Sequence, residues 1–269
     1  MPVEVTILIP NYRTPEITKI CLRLIRKHTN LEKAKVIVID NDSQDESIDY
    51  LRSLKWITLL EREPKLGESP PLAHSCALDL GFGHVDTPYV LSIHTDTFIK
   101  RDDWLDVLIA PFHKNPNISG VGSWKLESKN LFQIAGYKLE NTIKFLLSSI
   151  GIYKKNIPKI NDTKSYYLRS HCAIYRTEII NELATSFSDE DGTAGSVMHK
   201  KMVAAGYEML FLDSAFLGQY VDHINHATMV LNPELGSSKK NVRTGKRRMK
   251  KMLRGIDVKN ILASTHLDN

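Results

Sequence analysis

Several polar clusters in this 269-residue chain hold side chains able to do chemistry. Pro10-Asn11-Tyr12, Asp40-Asn41-Asp42 and His94-Thr95-Asp96 each close an apolar run. Ser188-Asp189-Glu190-Asp191-Gly192 precedes a helical pattern, and Tyr220-Val221-Asp222-His223-Ile224-Asn225-His226 follows a strand-like one. Carboxylates act as general bases and as ligands of hard cations, and imidazole ligates borderline ones. The same residues also have plain structural uses. Asp and Asn bond their own backbone in turns, Asp42-Ser43 can cap a following helix, and acids ahead of a helix gain from its dipole.

The elements that would position these clusters are legible in the apolar pattern. Val3 to Ile9, Val36 to Ile39, Ile57 to Leu60 and Tyr89 to Ile93 read as strands. Residues 15–28, 45–54, 71–82 and 102–114 read as helices, the first with Thr14 as N-cap and Pro15 at its first position. Strands apolar on both faces that alternate with helices imply an α/β fold with a mostly parallel sheet and helices on both faces. Ligands of such sheets bind beyond the carboxyl ends of the strands. Pro10-Asn11-Tyr12, Asp40-Asn41-Asp42 and His94-Thr95-Asp96 are therefore expected on one rim. Later, residues 193–205 suit a helix closed by Gly206, and Glu208 to Leu212 a strand. Residues 118–176 mix short strand-like pieces with loops.

Two nucleotide-binding turns are excluded. The first βα turn reads PNYRTP, without the glycines of a dinucleotide fingerprint, and no GxxxxGK[ST] occurs. Gly81-Phe82-Gly83 follows a helix and suits a C-cap. A metal ion is the other common way to hold a diphosphate.

With 42% hydrophobic and 25% charged residues, the composition excludes disorder, collagen and coiled coil for the chain as a whole. Three cysteines without a CxxC fit a reducing, cytoplasmic setting rather than a disulfide framework. The net charge of +5 is unevenly placed. Residues 239–254 hold nine Lys or Arg and no acid; without them 27 basic residues face 31 acidic ones. Met249, Met252, Leu253 and Ile256 recur there at helical spacing, which predicts a basic amphipathic helix. It either packs on the domain, meets phosphates at the site, or touches the inner membrane surface as a peripheral contact. Nucleic acid is a poor fit, because the tail has no aromatic residue to stack on bases.

The order VTILIPNY, VIVIDNDS, GESPPLAHSCALD, then YVLSIHTDTFI followed by DDWL resembles the family 2 glycosyltransferases of GT-A fold, over roughly residues 3–110. The resemblance implies a GT-A domain over 1–235, with a nucleotide-sugar half (1–115) and an acceptor half (116–235), and a tail over 236–269. It places Pro10, Asn11 and Tyr12 beside the nucleobase and makes Asp40 an acceptor for a base N–H. Asp42, Lys65, Gly67, His94, Thr95 and Asp96 join the donor site, Lys65 standing where the family commonly has Asn. His94-Thr95-Asp96 aligns with the family's DxD metal motif, so Asp96 and His94, with His223 as third ligand, are the expected holders of Mn²⁺ or Mg²⁺. A His at the first position suits Mn²⁺ better than Mg²⁺.

The resemblance also implies an inverting transfer from a nucleotide diphosphate sugar, a UDP-sugar first among donors, to a glycan or lipid-linked acceptor in surface polysaccharide or glycolipid synthesis. Asp191, then Glu190, are the expected bases, although the acids stand further from Gly206-Tyr207 than is usual. His74 reads more simply as a packing histidine, and Trp104 and Trp124 as core residues with a sugar-stacking alternative. Two other readings stay open: a degenerate nucleotide-sugar binder and a sugar-phosphate nucleotidyltransferase, the latter lacking its Gly-rich basic loop.

Overall fold

The computed structural model describes residues 3–124, 126, 166–191 and 193–269, except for the side chain of Asp191. The first half alternates as expected: β1 (Val5–Asn11), α1 (Pro15–His28), β2 (Ala34–Asp40), α2 (Glu46–Ser53), β3 (Thr58–Glu61), α3 (Pro70–Phe82), β4 (Tyr89–Ile93), β5 (Thr97–Ile99) and α4 (Trp104–Lys114). Then come β6 (Ile118–Gly122), β7 (Cys172–Arg176), α5 (Thr177–Glu182), α6 (Ser196–Ala204), β8 (Glu208–Phe211), α7 (Ser214–Leu217), β9 (Val221–His223), α8 (Ala227–Leu231), α9 (Lys239–Arg254) and α10 (Val258–Ala263).

Among the described residues, seven strands form one sheet in the order β3-β2-β1-β4-β7-β6-β8. Every neighbouring pair is parallel except the two made by β7. β1 and β4 are buried along their whole length, while β3 and β8, at the edges, are only half covered. Strands buried on both faces have no polar side to turn to water, hence their unbroken apolar runs. One face is covered by α1, α4 and the C-terminal helices, the other by α3, α5 and α6. α3 comes close enough that a Cβ on Gly81 would meet Ile39 and Leu8 at 2.8 and 3.0 Å.

Two pairings outside the parallel core decide what stands on the rim. β5 runs antiparallel to β9, with Thr97 opposite His223. β7 runs antiparallel to β4, with Ile93 opposite Cys172. The loop before β7 therefore arrives beside the end of β4, and the end of β9 beside Asp96.

The C-terminal segment is docked. Met249 and Ile261 are buried, and Met252, Leu253, Ile256 and Val258 pack against the core. Arg23, almost fully buried, bridges Asp268 with Nε to Oδ1 at 2.8 Å and donates from Nη1 to the carbonyl of Ile261 at 3.1 Å. No described helix is long and apolar enough to cross a membrane.

Candidate active site

The rim expected from the strand order exists. Asn11 pairs with Asp40 in the ladder, and Thr14 Oγ1 meets Thr95 Oγ1 at 3.4 Å. At its centre His94, Asp96 and His223 converge, each offering one ligand atom that lies within 4.8 Å of those of the other two. His223 Nε2 stands 3.1 Å and His94 Nδ1 3.8 Å from Asp96 Oδ1.

The hydrogen bonds of Asp96 and His94 use their other side-chain atoms. Asp96 Oδ2 accepts from the Ala227 N–H at 2.9 Å. His94 Nε2 pairs with Ser170 Oγ at 3.0 Å. The buried His223 Nε2 is close to Asp96 yet lacks hydrogen-bond geometry to it or to any other described group. A buried ring nitrogen without a partner costs free energy unless something else fills its lone pair. One carboxylate oxygen and two imidazole nitrogens form a donor set that fits a borderline divalent cation such as Mn²⁺, and suits Mg²⁺ less well.

The surroundings favour that state. Burial and the imidazoles of His74, His223 and His171 push His94 well below the ordinary imidazole value, against the pull of Asp96. Burial also drives His74 down to about 4. Neutral imidazoles keep a lone pair for a metal. Burial raises the Asp96 carboxyl, but His223, His94 and the Ala227 N–H outweigh it and hold Asp96 well below the carboxylate range.

Sequence reasoning missed part of this centre. His171 stacks on His223 with ring centroids 4.6 Å apart, and its Nε2 pairs with Ser123 Oγ at 3.2 Å. Ser170 bridges His94 and His74, whose Nε2 lies 3.2 Å from the same hydroxyl. His74 is thus more than a packing residue, its ring meeting His94 edge-on at 4.7 Å. Arg248 of α9 donates to the Asn225 carbonyl, inside the turn that carries Ala227 to Asp96. Asn225 and His226 both take left-handed φ, 67° and 65°, so this turn is strained as well as clasped.

The nucleobase side is buried and heavily bonded. Asn11 donates to Asp40 Oδ1 at 2.7 Å and accepts from Thr18 Oγ1 at 2.7 Å. Asp40 also takes the hydroxyl and N–H of Ser43. Three of its roughly four acceptor sites are therefore used inside the protein. Tyr12, half-exposed beyond Pro10, lies under the Arg13 guanidinium at 5.1 Å. Asp42 is exposed with φ 59°, and α2 is capped by Asp45, not by Asp42 or Ser43. Thr14 likewise precedes α1 without capping it, because its hydroxyl bonds Thr18. Lys65 and Gly67 are exposed on a loop that the Arg62–Glu68 pair ties to Asn41; Arg62 reaches Glu68 Oε1 at 2.7 Å and Asn41 Oδ1 at 3.1 Å.

The acids at 189–191 occupy a short 3-10 turn, in which Glu190 is exposed with φ 57°. Burial pushes the Asp189 carboxyl up, but Lys201, Thr185 and Ser186 hold it down to about 2. Asp79 on α3 accepts the N–H groups of Phe187 and Ser188. These contacts do not reach the imidazole cluster, and the side chain of Asp191 lies outside the described residues. Trp104 is core, while Trp124 is half-exposed between Tyr166, Tyr167 and Arg169.

Known proteins share this architecture. The chain is 24% identical over 214 residues to the O-antigen chain rhamnosyltransferase RfbN of Salmonella typhimurium, covering 79% of this chain and 65% of that protein. Among solved structures it is similar to the mannosyltransferase PcManGT of Pyrobaculum calidifontis, solved with GDP-Man and Mn²⁺ (TM-score 0.54, 17% identity, 79% of this chain and 55% of the other). It is also similar to the glucosyl-3-phosphoglycerate synthase of Mycobacterium tuberculosis with Mg²⁺ and UDP (TM-score 0.51, 17% identity, 91% and 79%). The model described as "Glycosyl transferase family 2" matches residues 6–184, more than half of the sequence, and the chain belongs to that family.

Proposed function

We propose that this chain transfers a sugar from a nucleotide diphosphate sugar, a UDP-sugar first among donors, to an acceptor hydroxyl with inversion, in the synthesis of a surface polysaccharide or glycolipid. The observation that carries the proposal is the convergence of His94, Asp96 and His223 at the strand ends, where a family 2 chain would hold its donor. The O-antigen rhamnosyltransferase and the two nucleotide-bound structural relatives support the class of donor and of product.

Here a bound Mn²⁺ or Mg²⁺ would supply positive charge against the departing diphosphate. The chain's own groups do the rest. Pro10, Asn11 and Tyr12 border the base, and Asp40 accepts its N–H with the capacity its internal bonds leave. Thr95 and Asp42 extend the donor side, and Lys65 beside Gly67 brings a cation to the phosphates. Asp191, with Glu190 as second candidate, takes the proton of the acceptor hydroxyl as its oxygen attacks the anomeric carbon. Asp189 is already spent on Lys201 and two hydroxyls, which makes it a poor base. Residues 1–115 then form the donor half and 116–235 the acceptor half, with 236–269 a docked tail.

A thermal-shift panel of nucleoside diphosphates with and without Mn²⁺ tests this reading. A ligand that binds only the folded chain raises its melting temperature. We expect one nucleoside diphosphate to do so in the presence of Mn²⁺ only, and Asp96→Ala to abolish the effect. A panel without any metal-linked stabilisation overturns the proposal. Stabilisation without sugar transfer would favour a donor-binding protein that does not turn over.

A further inference from the structure

Helix α9 and helix α10 enclose an open groove of about 750 Å³ on the outside of the domain. Its floor is aliphatic: Leu253, Ile256 and Val258, whose inner sides pack on the core and whose outer sides line the groove, over the buried Met249. Its rim carries four exposed cations, Lys246, Lys250, Arg254 and Lys259, against one acid, Asp257, whose carboxylate accepts from the Asn260 N–H at the start of α10. α9 itself contains no acidic residue.

We propose that this groove docks the protein on an anionic lipid bilayer, with acidic headgroups on the four rim cations and an acyl chain against the floor. The inference does not depend on the transferase reading; it rests on the placement of charge and apolar surface alone. Three observations select this partner. First, the charge is local. Outside residues 239–254 acids outnumber bases, 31 to 27, so the body is repelled by an anionic surface while this face is drawn to it, which sets one orientation.

Second, the inner side of α9 is already taken. A Cβ on Gly245 would meet Val230 at 2.2 Å, so the helix is seated on α8 and presents its outer face without leaving the domain. Third, the floor is aliphatic, without the aromatic rings on which nucleic-acid bases stack. A second copy of the chain is disfavoured because the two rims would repel. Aliphatic floor and cationic rim together match a lipid with an acidic headgroup.

Sedimentation of the full chain with phosphatidylcholine vesicles, with and without phosphatidylglycerol, tests the proposal. Binding is expected only when phosphatidylglycerol is present. Each cation near such a surface contributes about 1 kcal/mol, so the triple variant K246Q/K250Q/R254Q is expected to lower the partition coefficient by about a hundredfold. K55Q/K114Q/K200Q, which removes as many exposed cations elsewhere, should leave it within about twofold. Val258→Thr keeps the shape of the floor, adds a hydroxyl and is expected to weaken binding several-fold. Equal binding to neutral vesicles, an equal loss in the two triple variants, or binding to an RNA oligonucleotide but not to vesicles would overturn the docking. Unchanged binding by Val258→Thr would overturn the seating of an acyl chain in the floor.

Discussion

His223 Nε2 faces Asp96 Oδ1 across 3.1 Å because β9 pairs with the short strand that begins directly after Asp96. The register puts His223 opposite Thr97, one residue from the carboxylate. The turn after β9 then folds back so that Ile224 N–H donates to the Asp96 carbonyl at 3.0 Å and Ala227 N–H to its side chain. One aspartate thus organises the backbone that brings His223 beside it.

Asp96→Asn separates these roles. The amide oxygen still accepts from Ala227, but the charge is gone. We expect the fold to survive, Mn²⁺-dependent stabilisation to disappear, and sugar transfer to fall by at least about 10²-fold, given the several kcal/mol that a metal contributes to such a reaction. Melting curves with and without Mn²⁺, beside an activity assay, check this. A Mn²⁺ response equal to that of the parent would remove Asp96 from the metal site.

Ser170 acts one layer out. Its hydroxyl holds His94 Nε2 and so leaves Nδ1 to face Asp96 and His223. Partners of this kind typically change metal affinity by about 10–100-fold. Ser170→Ala is expected to weaken Mn²⁺ binding within that range while lowering stability by no more than about 1.5 kcal/mol. Titration calorimetry with Mn²⁺ measures the first and urea unfolding the second. Unaltered Mn²⁺ affinity counts against a tautomer-setting role.

How much of this was readable in advance follows from the range of each signal. Strands β1, β2 and β4 and helices α1 to α4 declare themselves locally, so the rim carrying Asn11, Asp40 and Asp96 was legible from alternation alone. Ser170 and His171 were not. They reach the rim only because β7 runs antiparallel to β4, and pairing direction leaves no trace in apolar periodicity. β5 and β9 are three residues each, too short to show a pattern, so the place of His223 rested on family resemblance. The amphipathic stripe of α9 announced an apolar neighbour without saying that it was this domain.

His199 is one expected source of acid lability. Burial pushes its pKa down to about 4, with the ring against Phe211 and Nδ1 3.4 Å from the Leu168 N–H. A depressed imidazole means that the unfolded chain binds the proton first. Stability from this group is therefore complete above pH 6.5 and is lost as pH falls towards 4, by on the order of 3 kcal/mol. Urea unfolding at pH 7 and pH 5 should show the loss, and His199→Gln should make it smaller by this group's share while leaving that of the buried His74 and His94. Equal pH dependence in parent and variant would clear His199 of the effect.

The C-terminus is latched by Arg23. Its guanidinium meets both oxygens of Asp268, which also accepts from Tyr50 Oη at 2.9 Å. Removing one partner of a buried pair strands the other, at a cost of about 3–5 kcal/mol. We expect Arg23→Ala to cost about that much, and Asp268→Asn less, roughly 1–3 kcal/mol, because Asp268 is partly exposed. Denaturant unfolding of both variants gives the values. Changes below about 0.5 kcal/mol, the range of ordinary surface substitutions, would mean that the latch is idle.

Gly245 gives the docking of α9 a diagnostic sign. In the middle of an exposed helix, glycine to alanine stabilises by about 1 kcal/mol. Here the added methyl would sit 2.2 Å from Val230 Cγ2, far inside contact distance, so α9 or Val230 must shift. Overpacking of this kind costs about 1–3 kcal/mol. Gly245→Ala is therefore expected to destabilise the protein, and Gly245→Ala combined with Val230→Ala to recover part of the loss, because the second change removes the atoms that clash. Chemical denaturation of the single and double variants decides the matter. A stabilised Gly245→Ala variant would mean that the helix stands free of α8 in solution, and the basic face would then no longer be fixed on the domain beside the turn that Arg248 clasps.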